Sequence, residues 1–166
     1  MILELFSSAL NSKRDSILTN LIKDNKINKL NIIGRPGSGK TTLSKKLRKE
    51  LKTDLLNIDS LFEEFKEDSQ IKDIIVNKLT ASKKIIIDGT YASLLNPERI
   101  GNTDLFVFVN SSILNSIFKV TRRAILGQNK YKNEKLSLRL IKQILLFERK
   151  KALIESRVER NKIYYY

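Results

Sequence analysis

A doubly wound α/β fold is what this 166-residue chain predicts, and three observations carry it. Short apolar runs alternate with amphipathic stretches, the pattern that lays helices over both faces of a mostly parallel sheet. One run, Ile85-Ile86-Ile87, is continuously β-branched, as a strand buried on both faces requires. A glycine-rich segment, Gly34-Arg35-Pro36-Gly37-Ser38-Gly39-Lys40-Thr41, stands between an apolar strand and a helix.

Taken in order, residues 2–23 read as helix, with Leu5, Ala9, Ile17, Leu21 and Ile22 as a broken apolar stripe. Asn11 and Ser12 are expected to divide it into two short helices. A polar turn over 24–28 leads into the strand Leu30-Asn31-Ile32-Ile33. After the glycine segment, Leu43, Leu47 and Leu51 recur every four residues and predict a helix over 41–51. Residues 54–58 form a second strand with Asp59 at its C-terminal end. Two helices follow: 60–65, with Leu61, Phe62 and Phe65 turned inward, and 71–79, with Ile71, Ile74, Ile75 and Leu79 on one face. Residues 84–89 and 104–110 are the third and fourth strands. Residues 111–126 are a helix capped by Ser111 or Ser112. A polar loop over 127–133 precedes one long helix over 136–158, striped by Leu140, Ile144, Phe147, Ile154 and Val158. The aromatic and β-branched residues of 162–166 suit a last strand. No repeat or Pro/Gly/Ser linker marks an internal boundary.

Composition narrows the chemistry. With no cysteine and no histidine, disulfides, zinc–thiolate sites, a cysteine nucleophile and His-ligated metals are excluded, so general-base work falls to Asp or Glu. No apolar run approaches the ~20 residues of a membrane span. No basic region precedes the apolar residues at the start, so a secretory signal is not expected and a cytoplasmic protein is. The net charge is +14, and residues 119–162 hold 14 basic against 4 acidic residues. A basic C-terminal third fits nucleic acid. It equally fits a polyphosphate site in a lysine-rich chain.

The segment from Gly34 to Thr41 matches G-x-x-x-x-G-K-[ST] at every fixed position. Its glycines let the backbone curl so that N–H groups converge on phosphate oxygens, and the following helix adds the positive end of its dipole. Lys40 would reach the β- and γ-phosphates, and the Thr41 hydroxyl would hold Mg²⁺. Asp88 closes an isoleucine run where a second Mg²⁺ ligand belongs; the alternative is a cap on the Asp-Gly turn. Asp59 is placed to orient an acceptor hydroxyl, take its proton or share the metal, or else to N-cap the helix from Ser60. Lys119 and Arg123, four apart on one helix face, are candidates for stabilising transferring charge, against a solvated basic face. Gly89, Tyr91 and Arg99 are candidate acceptor contacts. Arg122, Arg139 and Arg149 are weaker basic candidates.

These motifs resemble a known group. Proline at the third position of the loop, Pro36, is similar to the adenylate kinases and their relatives. The pieces Asn57-Ile58-Asp59, Ile86-Ile87-Asp88-Gly89-Thr90-Tyr91, Arg99 and Asp104-Leu105-Phe106-Val107-Phe108 resemble the DNA topology modulation protein type of adenylate-kinase-like P-loop protein, over residues 30–166. The resemblance implies a three-layer, nucleoside-monophosphate-kinase-like fold with a five-stranded parallel sheet in order 2-3-1-4-5. It also implies ATP and Mg²⁺ binding, by Gly34, Pro36, Gly37, Ser38, Gly39, Lys40, Thr41, Thr42 and Lys119 for the nucleotide and Thr41 and Asp88 for the metal. The catalytic set is then Lys40, Asp59 and Arg123, for an ATP-dependent kinase acting on a nucleotide or another small acceptor. The alternative is a nucleotide-binding regulatory or nucleic-acid-associated protein. The sequence departs from the group in three places: Lys119 replaces the first arginine of an R-x-x-x-R pair, Val109-Asn110-Ser111-Ser112 replaces LD-x-P, and no helix follows the fifth strand. About thirty residues precede the first strand where relatives begin almost at once. Residues 1–28 are therefore expected to be a helical extension on a kinase-like unit of residues 29–166, covering the sheet face that the final helix covers in relatives.

Overall fold

Lys29–Gly34, β1, is the strand around which the others are arranged. The computed structural model describes residues 2–65, 68–89, 103–126 and 138–166, with the backbone alone over 2–12 and at 62, 63, 68, 138 and 139. β1 is flanked by Ile85–Asp88 (β3) and Leu105–Val109 (β4), both parallel to it. Asp54–Asn57 (β2) extends the sheet beyond β3, and Ile163–Tyr165 (β5) extends it beyond β4. The order is β2-β3-β1-β4-β5, as the resemblance implies.

Because side chains alternate along a strand, each strand feeds two layers. Leu30, Ile32, Ile86, Leu105 and Val107 meet Leu18 and Ile22 of α1 (Ile2–Asp24) and Leu43 and Leu47 of α2 (Lys40–Leu51) on one face. On the other face, Ile33, Phe106 and Phe108 pack against Phe147 and Ile154 of α7 (Phe147–Glu155). Beside them, Ile85 and Ile87 pack on α3 (Ile58–Glu64) and α4 (Asp68–Ala81). The remaining helices are α5 (Ile113–Ile125) and α6 (Leu138–Leu145). Two polar contacts hold the start of β1. Asp104 accepts the N–H groups of Asn28 and Lys29, both at 2.9 Å, and the fully buried Asn31 donates to Thr103 at 2.6 Å.

Three expectations need correction. α1 is one continuous helix through Asn11 and Ser12, because each costs only a few tenths of a kcal/mol relative to a good helix former. Ile58 is the first residue of α3 rather than the last of β2, because Asn57 caps the helix one residue earlier. The helix expected over 136–158 is two, α6 and α7, meeting at Leu146 (φ −82°, ψ −1°). Hydrogen bonds from Leu146 to Lys142 and from Lys150 to Leu146 persist on either side, so the interruption is confined to one residue.

α1 is tied down by polar contacts as well as by Leu18 and Ile22. Asp15 accepts hydrogen bonds from the Tyr166 hydroxyl and from Lys46 of α2, and Thr19 donates to Glu50 at 2.6 Å. Tyr166 in turn extends the β4–β5 ladder, its N–H donating to the Phe108 carbonyl at 2.8 Å. α1, α2 and the end of the sheet therefore meet at one carboxylate.

Two outcomes follow from this packing. Deleting residues 1–25 strips Leu18 and Ile22 from the sheet face, and the truncated chain should lose its cooperative thermal transition; a truncation that still melts cooperatively would overturn the role given to α1. The Tyr166 phenol is pushed up from its ordinary value by burial and then by its bond to Asp15. A raised folded pKa means that this stabilisation is fully present below about pH 10 and is lost as the pH climbs beyond it. Tyr166→Phe should cost about 1 kcal/mol at neutral pH and flatten the decline in melting temperature above about pH 10, read from melts across the alkaline range.

Candidate active site

The C-terminal ends of β1, β3 and β2 share one edge of the sheet, where ligands of open α/β sheets bind. β1 ends at Gly34, which pairs with Val109. The chain then turns, with the Ser38 N–H donating to the Arg35 carbonyl at 3.1 Å. Gly37 (φ +81°) and Gly39 (φ +97°) occupy the left-handed region that other L-residues rarely adopt. A Cβ on Gly37 would lie 2.9 Å from the Ser116 carbonyl oxygen and 3.2 Å from Val120 Cγ2. The loop therefore lies directly on α5.

Gly39 is the N-cap of α2, its carbonyl accepting from Thr42 and Leu43 at 3.0 and 3.1 Å. No side chain caps this helix, and no acidic residue sits in its first turn. Its positive end is thus left facing the loop. Ser38 in the same turn is buried, and its hydroxyl has no hydrogen-bond partner among the described residues. Pro36 and Gly37 are half-buried on the loop, and Lys40, Thr41 and Thr42 open the helix. An uncapped helix end, a buried hydroxyl and a lysine form a donor set that suits a polyphosphate.

Lys40 Nζ lies 3.8 Å from Asp59 Oδ2, with the lysine mostly buried and the aspartate 39 % exposed. At that separation and exposure the pair is weak and open to displacement. Asp59 is not the N-cap of α3: the Asn57 side chain holds that place, accepting from the Ser60 N–H at 3.1 Å. The other end of the Asn57 amide donates to Asp88 Oδ2, also at 3.1 Å. This arrangement fixes the amide, since its oxygen must face the helix N–H and its nitrogen the carboxylate. Asp88 is fully buried at the end of β3, beside Ile32 on one side and Asn57 on the other. Gly89 follows, its N–H donating to the Ile32 carbonyl at 3.1 Å.

Lys119 and Arg123 lie on α5. Ser116, Val120 and Arg123 are spaced i, i+4, i+7, so Arg123 extends the row that touches Gly37, and Lys119 flanks it. Arg122 points about 100° away from Arg123 on the helical wheel. The Arg123 guanidinium bonds back to the Lys119 carbonyl at 3.4 Å. Tyr91, Arg99 and the segment 127–133 lie outside the described residues, as does the side chain of Arg139.

Two residues escaped the sequence reading. Asn57 is one, although Asn three residues before Ser60 is a recognisable cap pattern. Arg35 occupies a loop position whose identity the motif leaves open, so nothing local marks it. Its side chain is buried, with Nη1 donating to the Ser111 carbonyl, Nη2 paired with Glu148, and the guanidinium 5.3 Å from the centre of the Phe147 ring.

No protein-family model matches the chain, and no curated protein is significantly similar to it in sequence. Solved structures do match. Shikimate kinase from Acinetobacter baumannii, in complex with shikimate, superposes with a TM-score of 0.55 at 13% identity, over 89% of this chain and 85% of that one. A candidate kinase from Chloroflexus aurantiacus gives 0.56 at 16% identity, over 84% and 87%. Shikimate kinase from Bacteroides thetaiotaomicron gives 0.51 at 18%, over 84% and 86%. At these identities the likeness is one of fold, and the fold is that of the P-loop kinases with a nucleoside-monophosphate-kinase-like sheet.

Proposed function

We propose that this chain is an ATP-dependent phosphotransferase that moves the γ-phosphoryl group of Mg·ATP to a small hydroxyl- or phosphate-bearing acceptor. The observation that carries the proposal is the loop itself: two left-handed glycines aim its turn at an uncapped helix end. Lys40 would bind the β- and γ-phosphates, alongside Gly34, Pro36, Gly37, Ser38, Gly39 and Thr42. Thr41 and Asp88 would hold Mg²⁺, which needs only one or two protein oxygens when phosphates and waters complete its shell. Asn57 keeps the Asp88 carboxylate turned to one side.

In the transfer, an acceptor oxygen forms a bond to the γ-phosphorus as the bond to the bridging oxygen breaks and ADP leaves. Asp59, freed from capping duty, would receive the acceptor proton. Arg123 and Lys119 would offset charge on the transferring oxygens from the helix that backs the loop. Gly89, Tyr91 and Arg99 remain the proposed acceptor contacts. The shikimate complex of a fold neighbour supports a small hydroxyl-bearing acceptor, and the motifs around Asp88 and Arg99 support the topology modulation protein type. A cytoplasmic location and the division into an extension (1–28) and a kinase-like unit (29–166) belong to the same reading. No described helix is long and apolar enough to cross a membrane.

The test is binding followed by turnover. Mg·ATP at about one hundred times its dissociation constant contributes about 2.7 kcal/mol to the native state. For a chain of this length that raises the melting temperature by about 5–10 °C. Lys40→Ala should remove most of that shift and abolish ADP formation in the presence of an acceptor mixture. Unchanged turnover in a pure Lys40→Ala sample would take the loop out of the mechanism.

A further inference from the structure

We propose that Arg35 is a positioning residue that pins the phosphate loop to the start of α5 and to α7, and so makes nucleotide affinity depend on the C-terminal helices. This rests on the nucleotide-binding reading of the loop. The pin itself is a property of the chain without ligand.

Both ends of Arg35 are engaged. Its carbonyl accepts the Ser38 N–H and closes the first turn of the loop. Its side chain is only 7% exposed. There the planar fork serves two acceptors from different parts of the chain: the Ser111 carbonyl, just ahead of the Ser112 cap of α5, and the Glu148 carboxylate in the first turn of α7. The ring beneath it, Phe147, is itself buried among Ile33, Phe106 and Phe108. The guanidinium thus sits on the core and ties loop, α5 and α7 together.

The choice of arginine is physical. A buried cation without partners is strongly unfavourable, so the loop keeps this position only while Ser111 and Glu148 stay in place. A lysine carries the same charge as a single point and lacks the fork that meets two separated acceptors while lying over a ring. Glu148 is 57% exposed, so solvent screens the ionic part of its pair. Its share is a charge-assisted hydrogen bond, and the Ser111 carbonyl and Phe147 ring supply the rest. Loosening the pin frees the base of the turn whose amides must converge on phosphate, without touching any group that contacts the phosphate.

The experiment is hydrogen exchange on the full chain without nucleotide, comparing the wild type with Glu148→Gln and Arg35→Lys. Glu148→Gln keeps an acceptor at an exposed position and preserves the fold if Arg35→Lys does not. In both variants, amides of residues 34–43 should exchange about tenfold faster, the effect of weakening one charge-assisted bond at the pin, while those of α4 are unchanged. Unchanged loop exchange in folded variants overturns the pin, as does loosening spread evenly over the whole sheet. Mg·ATP titration is the second arm. A dissociation constant about tenfold higher in both variants supports the proposal, and equal affinity despite a loosened loop overturns it. Wild-type protein that binds no Mg·ATP while its loop exchange still responds to Glu148→Gln removes the proposed function and leaves the pin standing.

Discussion

Backbone amides can be aimed at a ligand only from a strand that cannot shift, and β1 is fixed from four directions. Parallel ladders hold it to β3 and β4, and the two faces of the sheet are closed by α1 and α2 on one side and α3, α4 and α7 on the other. Its beginning is fastened by Asp104, its middle by the Asn31–Thr103 bond, and the residue just past its end, Arg35, by its side-chain bonds to Ser111 and Glu148. The loop that follows has two glycines in the left-handed region, where backbone freedom and its entropic cost are largest. A rigid strand feeding an intrinsically flexible loop is stable only if the loop has anchors of its own. α5 beneath Gly37 and the Arg35 side chain are those anchors.

The same dependence explains the far side of the molecule. β1 and β4 present Leu30, Ile32, Leu105 and Val107 to one layer, where Leu43 and Leu47 of α2 cover part of them. Leu18 and Ile22 of α1 complete that layer, and Asp15 joins α1 to α2 through Lys46 and to the end of the sheet through Tyr166. Leu18 and Ile22, in the segment that the resemblance leaves unexplained, are thus part of the core that fixes the loop.

The fold was legible because it is written in local periodicity. Ile85-Ile86-Ile87 and Leu105-Phe106-Val107-Phe108-Val109 are β-branched and aromatic runs of strand length, which argues for doubly buried strands, and the three layers follow from such runs and the helices between them. The fixed positions of the loop were legible for the same reason, since each is demanded by backbone geometry within eight residues. What was not legible is what distance in sequence hides. Arg35 and Glu148 meet although 113 residues separate them in the chain, and neither carries a pattern that points to the other. The break at Leu146 has no glycine or proline to announce it. Asn57 and Asp59 are both residues that can cap a helix, and a cap serving one helix N–H and one carboxylate at once appears only when β2 and β3 are side by side.

Charge near the loop follows from these pairings. The chain carries +14 overall, yet bulk surplus says little about a site a few ångströms across, where the partners of individual groups decide. Glu148 would repel a phosphate if its charge were uncompensated, and Arg35 compensates it. Asp59 is matched only loosely by Lys40 at 3.8 Å, so a competing anion can draw the lysine away. Asp88 is fully buried and accepts a hydrogen bond from the Asn57 amide. A polyphosphate seated on the loop as proposed would meet the negative charge of Asp59 and Asp88, and like charges repel. On the proposed function, a divalent cation placed between phosphate and Asp88 converts that repulsion into attraction, while Lys40 exchanges a weak carboxylate partner for a more highly charged one. The carboxylates that oppose binding of the bare nucleotide are then the groups that favour its magnesium complex.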